Sequence, residues 1–306
     1  NVVLWQNGVN KAPVNLGVTA QTVGEDTSLL IKGVSVVDVD GNLASTQLSV
    51  TNGTLNVSLL GGATISAGSN NSGSLTLNGT EAQINAALAT LRFQGNANFV
   101  GTANLSIVSR DSASTVLSDT DSLSITVTAV NDAPVLNTST TVSLGTLSED
   151  AGVPTGTAGS LVSDLFAAIT DADASSAKGL AITAVNGNGT LYFSTNAGNT
   201  WTAVTSTLSD TNALLLDGAN RVYFKPSANW NGNIANAFLY RAWDQTNNAI
   251  VGSQVGITPT ALWLALKSAS ALLVALAVAG LIRAATAKWA SPSPPSMTRR
   301  CWPIPC

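Results

Sequence analysis

The stretch "TAVNDAPVL", Thr128–Leu136, lies between two apolar runs and contains the polar residues Asn131 and Asp132 just before Pro134. The preceding "SLSITV" alternates apolar and polar residues, which is typical of a strand with one buried face. Two interpretations follow for the polar residues. They form either a plain linker between two folded units, or a linker whose side-chain oxygens bind something that stiffens the joint.

The landmarks around this stretch occur twice, in the same order. "NKAPVN" from Asn10 matches "NDAPVLN" from Asn131, and an acidic pair follows each, starting at Glu25 and Glu149. Three further pairs match: "VVDVDG" with "ITDADA", "NGTLNVS" with "NGTLYFS", and "FQGNANFVG" with "FKPSANWNG". Such self-similarity indicates tandem units. We therefore expect the end of a preceding repeat at 1–12, sandwich units at 13–130 and 136–258, a linker at 131–135, and an atypical tail at 259–306.

Each unit is predicted to be an all-β sandwich, because short alternating runs are bounded by Gly, Asn or Asp. The candidate strands of the first unit are Thr46–Val50, Thr54–Leu59, Gly73–Leu77, Thr102–Val108 and Ser122–Val127. Thr80 and Gln83 form a capping-box pattern, and Ile84, Leu88 and Leu91 follow on one helical face. This pattern predicts a short helix across one end of the sandwich.

Composition narrows the classes of function. The chain has no His, which removes the commonest general base and the usual zinc ligand. All 17 acidic residues precede position 245, together with 8 basic ones, so this part carries about nine net negative charges (17 minus 8). Nucleic acid is therefore not an expected partner. Both cysteines, Cys301 and Cys306, lie at the C-terminus, so packing or metal must stabilise the body, and the start without Met suggests a fragment of a longer protein.

Together these residues resemble the cadherin-like tandem repeats of large bacterial surface adhesins and repeats-in-toxin proteins. The joint "ITVTAVNDAPV" and the segments "GTLYFSTNAGNTWTAV", "RVYFKPSANWNG" and "YRAWD" carry the resemblance. It implies an extracellular, non-catalytic, calcium-binding sandwich module that serves in cell adhesion or as a spacer, as in biofilm filaments. Its partners would be neighbouring repeats of the same chain and a surface, glycan or protein ligand of unknown identity.

Calcium prefers six to eight hard oxygen ligands, which closely spaced acids at a domain end can supply. By resemblance to cadherins, a Ca²⁺ site at the joint would use Asn131, Asp132, Glu149, Asp171 and Asp173, with Asp119 and Asp121 as further candidates. An equivalent upper site would use Glu25, Asp38 and Asp40, but Lys11 stands there in the position of Asp132. Because an Asp-x-Asp pair also commonly forms a turn or a cap, that interpretation stays open.

Other acidic residues have alternative interpretations. Asp111 and Asp244 each follow a strand near an Arg, where an ordinary ion pair explains them about as well as a ligand role. A glycan-cleaving fragment that uses Asp171 and Asp173 is disfavoured, because two residues of one loop rarely reach the carboxylate separation that such hydrolysis needs. A β-solenoid suits the composition but not a repeat of about 120 residues.

The aromatic residues also have two interpretations. Phe99, Trp230 and Trp243 are most simply core or edge residues of the sandwiches, and "STNAGNTW", which ends at Trp201, resembles an Asp-box hairpin with Asn196 in place of Asp. The alternative is a carbohydrate-binding module in which the tryptophans stack on sugar. Exposure of the rings would favour that module, and burial would count against it.

The tail differs sharply in composition from the rest of the chain. "ALWLALKSASALLVALAVAGLI", Ala261–Ile282, contains Lys267 as its only charge and is followed by Arg283 and Lys288. Its length and flanking charges fit a transmembrane helix, so a membrane is a partner only if this tail is genuine. The alternative is a reading-frame shift that replaced the last strand of the second unit. In either case the apolar run is expected to be helical.

Overall fold

The chain forms two tandem all-β sandwich modules, and the computed structural model describes residues 9–148, 150–174, 176–246, 248–257 and, as backbone, 274–278. The strands of the first module are β1 Val14–Leu16, β2 Gln21–Gly24, β3 Leu29–Leu30, β4 Ser35–Val37, β5 Leu43–Val50, β6 Gly53–Asn56, β7 Thr64–Gly68, β8 Ser74–Asn78, β9 Arg92–Gly95, β10 Gly101–Asp111 and β11 Ser118–Thr128. The strands of the second are β12 Val135–Leu136, β13 Val142–Leu147, β14 Ser160–Leu161, β15 Ile169–Thr170, β16 Gly179–Val185, β17 Gly189–Ser194, β18 Thr202–Ala203, β19 Ala213–Asp217, β20 Arg221–Pro226, β21 Asn233–Ile234, β22 Phe238–Trp243, β23 Gln254–Val255 and β24 Val274–Val278.

In the first module a six-stranded sheet packs against a three-stranded one. The sheets have the orders β2-β11-β10-β5-β8-β7 and β3-β9-β6, and β1 pairs with β4 beside them. Alternate residues of β10, such as Leu105 and Ile107, are buried against Leu55 and Phe93 of the smaller sheet. This alternation is what a sheet with one buried face requires. The predicted strands are all present, with ends shifted by a few residues.

The predicted helix is confirmed as α1, Glu81–Leu88, with both hydrogen bonds of the capping box between Thr80 and Gln83. Its apolar face is buried in the core of the first module. Asn85 on its other side exchanges two 2.8 Å hydrogen bonds with the backbone of Val36 in β4. The helix therefore closes one flank of the sandwich.

The repeated "NGT" segments have a packing reason. A Cβ atom at Gly53 would lie 2.4 Å from both the Gln94 oxygen and the Phe93 ring. At the equivalent Gly189 it would lie 2.4 Å from the Lys225 oxygen and 2.5 Å from the Phe224 ring. Because the neighbouring strand and its aromatic ring pass so close, only Gly fits at these two positions.

In the second module the sheets are β22-β16-β19-β23 and β14-β20-β17-β18, with β12-β15 and β13-β24-β21 beside them. A 3₁₀ helix, Val162–Ala168, contributes Val162 and Leu165 to the main core. A small second core lies on the opposite face of β16 and β19, where Leu215 and Trp243 pack with Ile257. The chain between β22 and β23 therefore crosses the outside of this sheet.

The predicted helix at Ala261–Ile282 is wrong for the five residues of that run that are described, because Val274–Val278 form strand β24. Leu276 pairs with Gly145 of β13 in the parallel sense and with Ile234 of β21 in the antiparallel sense. Strand β11 of the first module is paired in the same way, parallel to β2 and antiparallel to β10. The edges of β13 and β21 offer backbone partners that favour a strand over a helix. The rest of the run lies outside the described residues.

Among the described residues, no helix has the length and hydrophobicity required to cross a bilayer.

The contacts of the aromatic residues favour their interpretation as core and edge residues of the sandwiches. Trp243 is 1% exposed, and Phe99 and Trp230 pack against the cores of their modules. The indole N–H of Trp201 donates to the Gly156 oxygen at 3.1 Å, and its ring meets Tyr223 edge-on at 6.2 Å.

Candidate metal centre at the joint

The linker is held against the end of the first module by Glu25. The Glu25 backbone N–H donates to the Thr128 oxygen at 2.9 Å, and the Glu25 carboxylate accepts from the Val130 N–H at 2.9 Å. Because β2 runs parallel to β11, both strands end at this joint. Glu25 was expected at the upper site with Asp38 and Asp40, and this expectation is wrong: it lies at the opposite end of the module.

Three carboxylates from distant parts of the sequence meet at the joint. Ligand-capable oxygens of Glu25, Asp132 and Asp173 all lie within 4.8 Å of one another, and Glu25 is only 5% exposed. The Asp132 N–H donates to Asp173 Oδ2 at 2.8 Å, and the Asp173 N–H donates to Asp171 Oδ1 at 3.0 Å. The Asp-x-Asp loop is thus both a turn and a source of carboxylates.

Asn131 and Asp244 extend this group. Asn131 Nδ2 donates to Asp244 Oδ2 at 2.8 Å, and Asp244 is 3% exposed. Within the described ranges Asp244 makes no ion pair with an Arg, and Arg241 instead makes bonds of 2.9 and 2.7 Å to Asp210. We call the whole set the joint cluster: Glu25, Asn131, Asp132, Asp171, Asp173 and Asp244.

The electrostatics of the joint cluster are unfavourable without a cation. Burial, followed by the negative charges of Asp173, Asp26, Glu25 and Asp171, raises the pKa of Asp132. Like charges at this separation destabilise one another unless a proton or a positive ion intervenes.

Asn98 and Asp26 were missed by sequence reasoning. The Asn98 N–H donates to Asp26 Oδ1 at 3.1 Å. When the Asn98 amide is oriented with its nitrogen towards the neighbouring carboxylates, it donates to Asp132 Oδ2 at 3.0 Å and to Asp26 Oδ2 at 3.2 Å. The repeat could have revealed this pair in the sequence, because its equivalents in the second module are bonded in the same way: the Asn229 N–H donates to Asp150 Oδ1 at 2.8 Å.

Beside the cluster lies a cavity of about 550 Å³, lined by Glu25, Asn98, Asn131, Asp173 and Ser176 among others. Among the described residues, no hydrogen-bond partner reaches the buried atoms Asp171 Oδ2 and Ser176 Oγ. Unpaired buried oxygens are costly, so atoms of this kind usually face water or a cation. An oxygen-only donor set with spare lone pairs fits a hard divalent cation such as Ca²⁺.

The remaining predicted ligands are not brought to this site. Asp119 and Asp121 lie in the first half of β11, where they pair with Ser109 and Ile107, and Asp119 accepts from the backbone of Asn15 at 2.8 Å. They are therefore far from Asp132, which follows the other end of that strand. Asp38 and Asp40 lie at the end of the first module opposite the joint, where Asp40 accepts from the Lys11 N–H at 2.6 Å and its own N–H donates to Asp38. Glu149 lies outside the described residues.

No protein-family model matches the chain, and no curated protein is significantly similar in sequence. Among solved structures, Protocadherin Gamma B2 extracellular cadherin domains 1–5 are similar over 90% of this chain and 42% of that one, with 15% identity and a TM-score of 0.44. Mouse Cadherin-23 EC22-24 is similar over 89% of this chain and 67% of that one, with 16% identity and a TM-score of 0.39. The human Desmocollin-1 ectodomain is similar over 88% and 42%, with 11% identity and a TM-score of 0.36. The chain thus spans less than half of the first and third of these structures.

Proposed function

We propose that the protein is an extracellular adhesion or spacer segment whose two sandwich modules are stiffened by calcium at their joint. The observation that carries this proposal is the meeting of Glu25, Asp132 and Asp173 from the first module, the linker and the second module. Asn131, Asp171 and Asp244 would complete the ligand set. The sequence resemblance to cadherin-like repeats of bacterial adhesins supports the same conclusion.

The proposed mechanism is mechanical. Without calcium, the carboxylates of the joint cluster repel one another, and the linker costs about 1 to 2 kcal/mol per residue to order. A calcium ion held by both modules and the linker removes the repulsion and fixes their relative orientation. Sites in extracellular modules are typically weak, with dissociation constants of about 10⁻⁴ to 10⁻³ M, so such a joint is rigid outside cells and loose at cytosolic calcium.

In this proposal the partners are neighbouring repeats of the same chain, together with a surface, glycan or protein ligand at an exposed face. The location is a bacterial cell surface or secreted filament. Nucleic acid is not a partner in this proposal, because the 17 acidic residues that precede position 245 outnumber the 8 basic ones there.

The proposal is tested by thermal unfolding of the protein in millimolar calcium and in chelator, with the double variant Asp171→Ala/Asp173→Ala. Calcium should raise the melting temperature of the wild type and leave the double variant unchanged, because only binding to the folded state stabilises it. Asp121→Ala is the matched control, since this carboxylate lies on β11 away from the joint. A wild type that does not respond to calcium would reduce the linker to a plain connection.

A further inference from the structure

The linker is bonded to the second module by groups that need no metal ion. Asp244 is 3% exposed, and both of its carboxylate oxygens have protein donors. Its Oδ2 accepts from Asn131 Nδ2 at 2.8 Å, and its Oδ1 accepts from the N–H and the hydroxyl of Thr246 at 3.1 and 2.8 Å. Because each oxygen of this buried carboxylate is paired, the bond between Asn131 and Asp244 is complete without a cation. We call this bond the linker latch.

The residues that follow Asn131 are held on the same side of the joint. The Asp132 N–H donates to Asp173 Oδ2 at 2.8 Å. Pro134 is buried, and from Val135 the chain forms strand β12, which pairs with β15 of the second module. From Asn131 onward the linker therefore lies against the second module.

The linker latch recurs at the opposite end of the first module. Asn10 Nδ2 donates to Asp111 Oδ2 at 2.7 Å, and Asp111 Oδ1 accepts from the Leu117 N–H at 3.0 Å. The Asn10 donor lowers the pKa of Asp111, so hydrogen bonding favours the charged form of this carboxylate. Lys11 stands here in the position of Asp132. The latch therefore forms whether a positive or a negative residue follows the Asn.

The chain up to Val130 is held on the first module instead. The Val130 N–H donates to Glu25 Oε1 at 2.9 Å, and the Glu25 N–H donates to the Thr128 oxygen at 2.9 Å. The next residue, Asn131, is already bonded to the second module. Because the peptide bond itself is rigid, the backbone dihedrals of Val130 and Asn131 are the soft ones between the two held segments.

The contacts across this point are polar. Asn98 donates to Asp132, and the carboxylates of Glu25, Asp132 and Asp173 lie within 4.8 Å of one another. Among the described residues, each buried apolar cluster contains residues of one module only, so no apolar core fixes the angle between the modules. The facing carboxylates repel one another unless a cation lies between them.

We propose that the joint has one pivot, at Val130 and Asn131, and that the linker latch keeps the chain from Asn131 onward on the second module with or without calcium. Calcium at the joint cluster then fixes this pivot and does not have to order a loose linker. Asn131 and Asp244 are positioning residues, because they hold Asp132 where it faces Glu25. The part that concerns calcium rests on the function proposed above, while the latch stands by itself.

The test is amide hydrogen exchange of the full chain in chelator, resolved by residue with NMR. The N–H groups of Val130 and Asp132 should each exchange about tenfold more slowly than in denatured protein, which is the scale of one net hydrogen bond. Asn131→Ala should remove the protection of Asp132 and leave that of Val130. Glu25→Ala should do the reverse, whereas Glu25→Gln keeps an acceptor oxygen and should retain the protection of Val130. The amides of β10 and β16 report that each variant is folded.

Two results in chelator would overturn the proposal. A wild-type Asp132 N–H that exchanges as fast as in denatured protein would mean that the linker is loose. Loss of both protections in either Ala variant would mean that the linker moves as one unit.

The calcium arm separates this proposal from the proposed function. Calcium should change the exchange rates of both wild-type amides by less than about twofold, and a tenfold slowing of Asp132 would overturn the proposal, because the ion and not the latch would then order the linker. A wild type whose modules keep the same range of orientations in calcium and in chelator defeats the proposed function instead. The crossed pattern of the two variants in chelator still decides whether the latch exists.

Discussion

Asp132→Asn should have opposite effects on stability with and without calcium. In chelator, the substitution removes one negative charge that lies within 4.8 Å of both Glu25 and Asp173. Two such repulsions in a solvent-screened site amount to roughly 1 to 2 kcal/mol, so the variant should be more stable than the wild type by that amount. The Asn oxygen can still accept from Asn98, so the local hydrogen bonds persist.

In calcium the order should reverse. For a site with a dissociation constant of about 10⁻⁴ to 10⁻³ M, 10 mM calcium stabilises the folded wild type by about 1.4 to 2.7 kcal/mol. Asp132→Asn loses a charged ligand and with it most of this gain. The assay is urea unfolding of the wild type, Asp132→Asn and the control Asp121→Asn, each in chelator and in 10 mM calcium.

The pH dependence provides an internal check. The pKa of Asp132 is raised in the folded protein, first by burial and then by its acidic neighbours, so the folded state binds this proton more tightly than the unfolded state does. In chelator, the contribution of Asp132 to stability should therefore rise as the pH falls through the folded pKa towards the unfolded value near about 4. Asp132→Asn should flatten the profile in this window. A variant that is less stable than the wild type in chelator, or that keeps the full calcium response, would refute the reasoning.

Three further predictions concern the scaffold, each measured as a change in urea unfolding free energy. Phe93→Ala should cost about 3 to 5 kcal/mol because the ring is fully buried beside Gly53, and a loss below 1 kcal/mol would mean that the site is not a packed core. Thr80→Ala should cost about 1 kcal/mol through loss of the helix cap, whereas Thr80→Ser should be nearly neutral. Trp201→Phe should cost about 0.5 to 1.5 kcal/mol by removing the bond to the Gly156 oxygen, and unchanged stability would contradict that contact.

The fold could be predicted largely because its signals are local. Alternating residues, turn residues and the Thr80–Gln83 capping box each specify structure within a few positions of the chain. The duplicated landmarks then predicted two similar modules. The strand at Val274–Val278 could not be predicted, because an apolar run of Ala, Leu and Val has no periodicity that separates helix from strand, and the pairing edges of β13 and β21 decide between them.

The candidate site was predicted in part. The structure brings Asp132, Asp171 and Asp173 together at the joint, because the linker and the Asp-x-Asp loop lie on its two sides, and their role as metal ligands stays a prediction. Glu25 was assigned to the wrong end of its module, since spacing alone does not reveal that β2 runs parallel to β11. The prediction that Asp119 lies at the joint was wrong for the converse reason. Asp119 is close to the linker in sequence, but the length of β11 separates the two in space.

The repeat extends to the hydrogen bonds at the two ends of the first module. Three hydrogen bonds of the joint recur at the opposite end of the first module, where Lys11 stands in the position of Asp132, so the fold tolerates either residue there.

The central claim, that calcium stiffens the joint, is tested most directly by the width of an inter-module distance distribution. Spin labels at Val116 and Val153, which are 56% and 58% exposed and lie in different modules, can be introduced as cysteines in a Cys301→Ser/Cys306→Ser background and measured by pulsed electron resonance. The account predicts a broad distribution in chelator that narrows to one sharp peak in 10 mM calcium, and no narrowing in Asp171→Ala/Asp173→Ala. Equal widths for the wild type with and without calcium would contradict it.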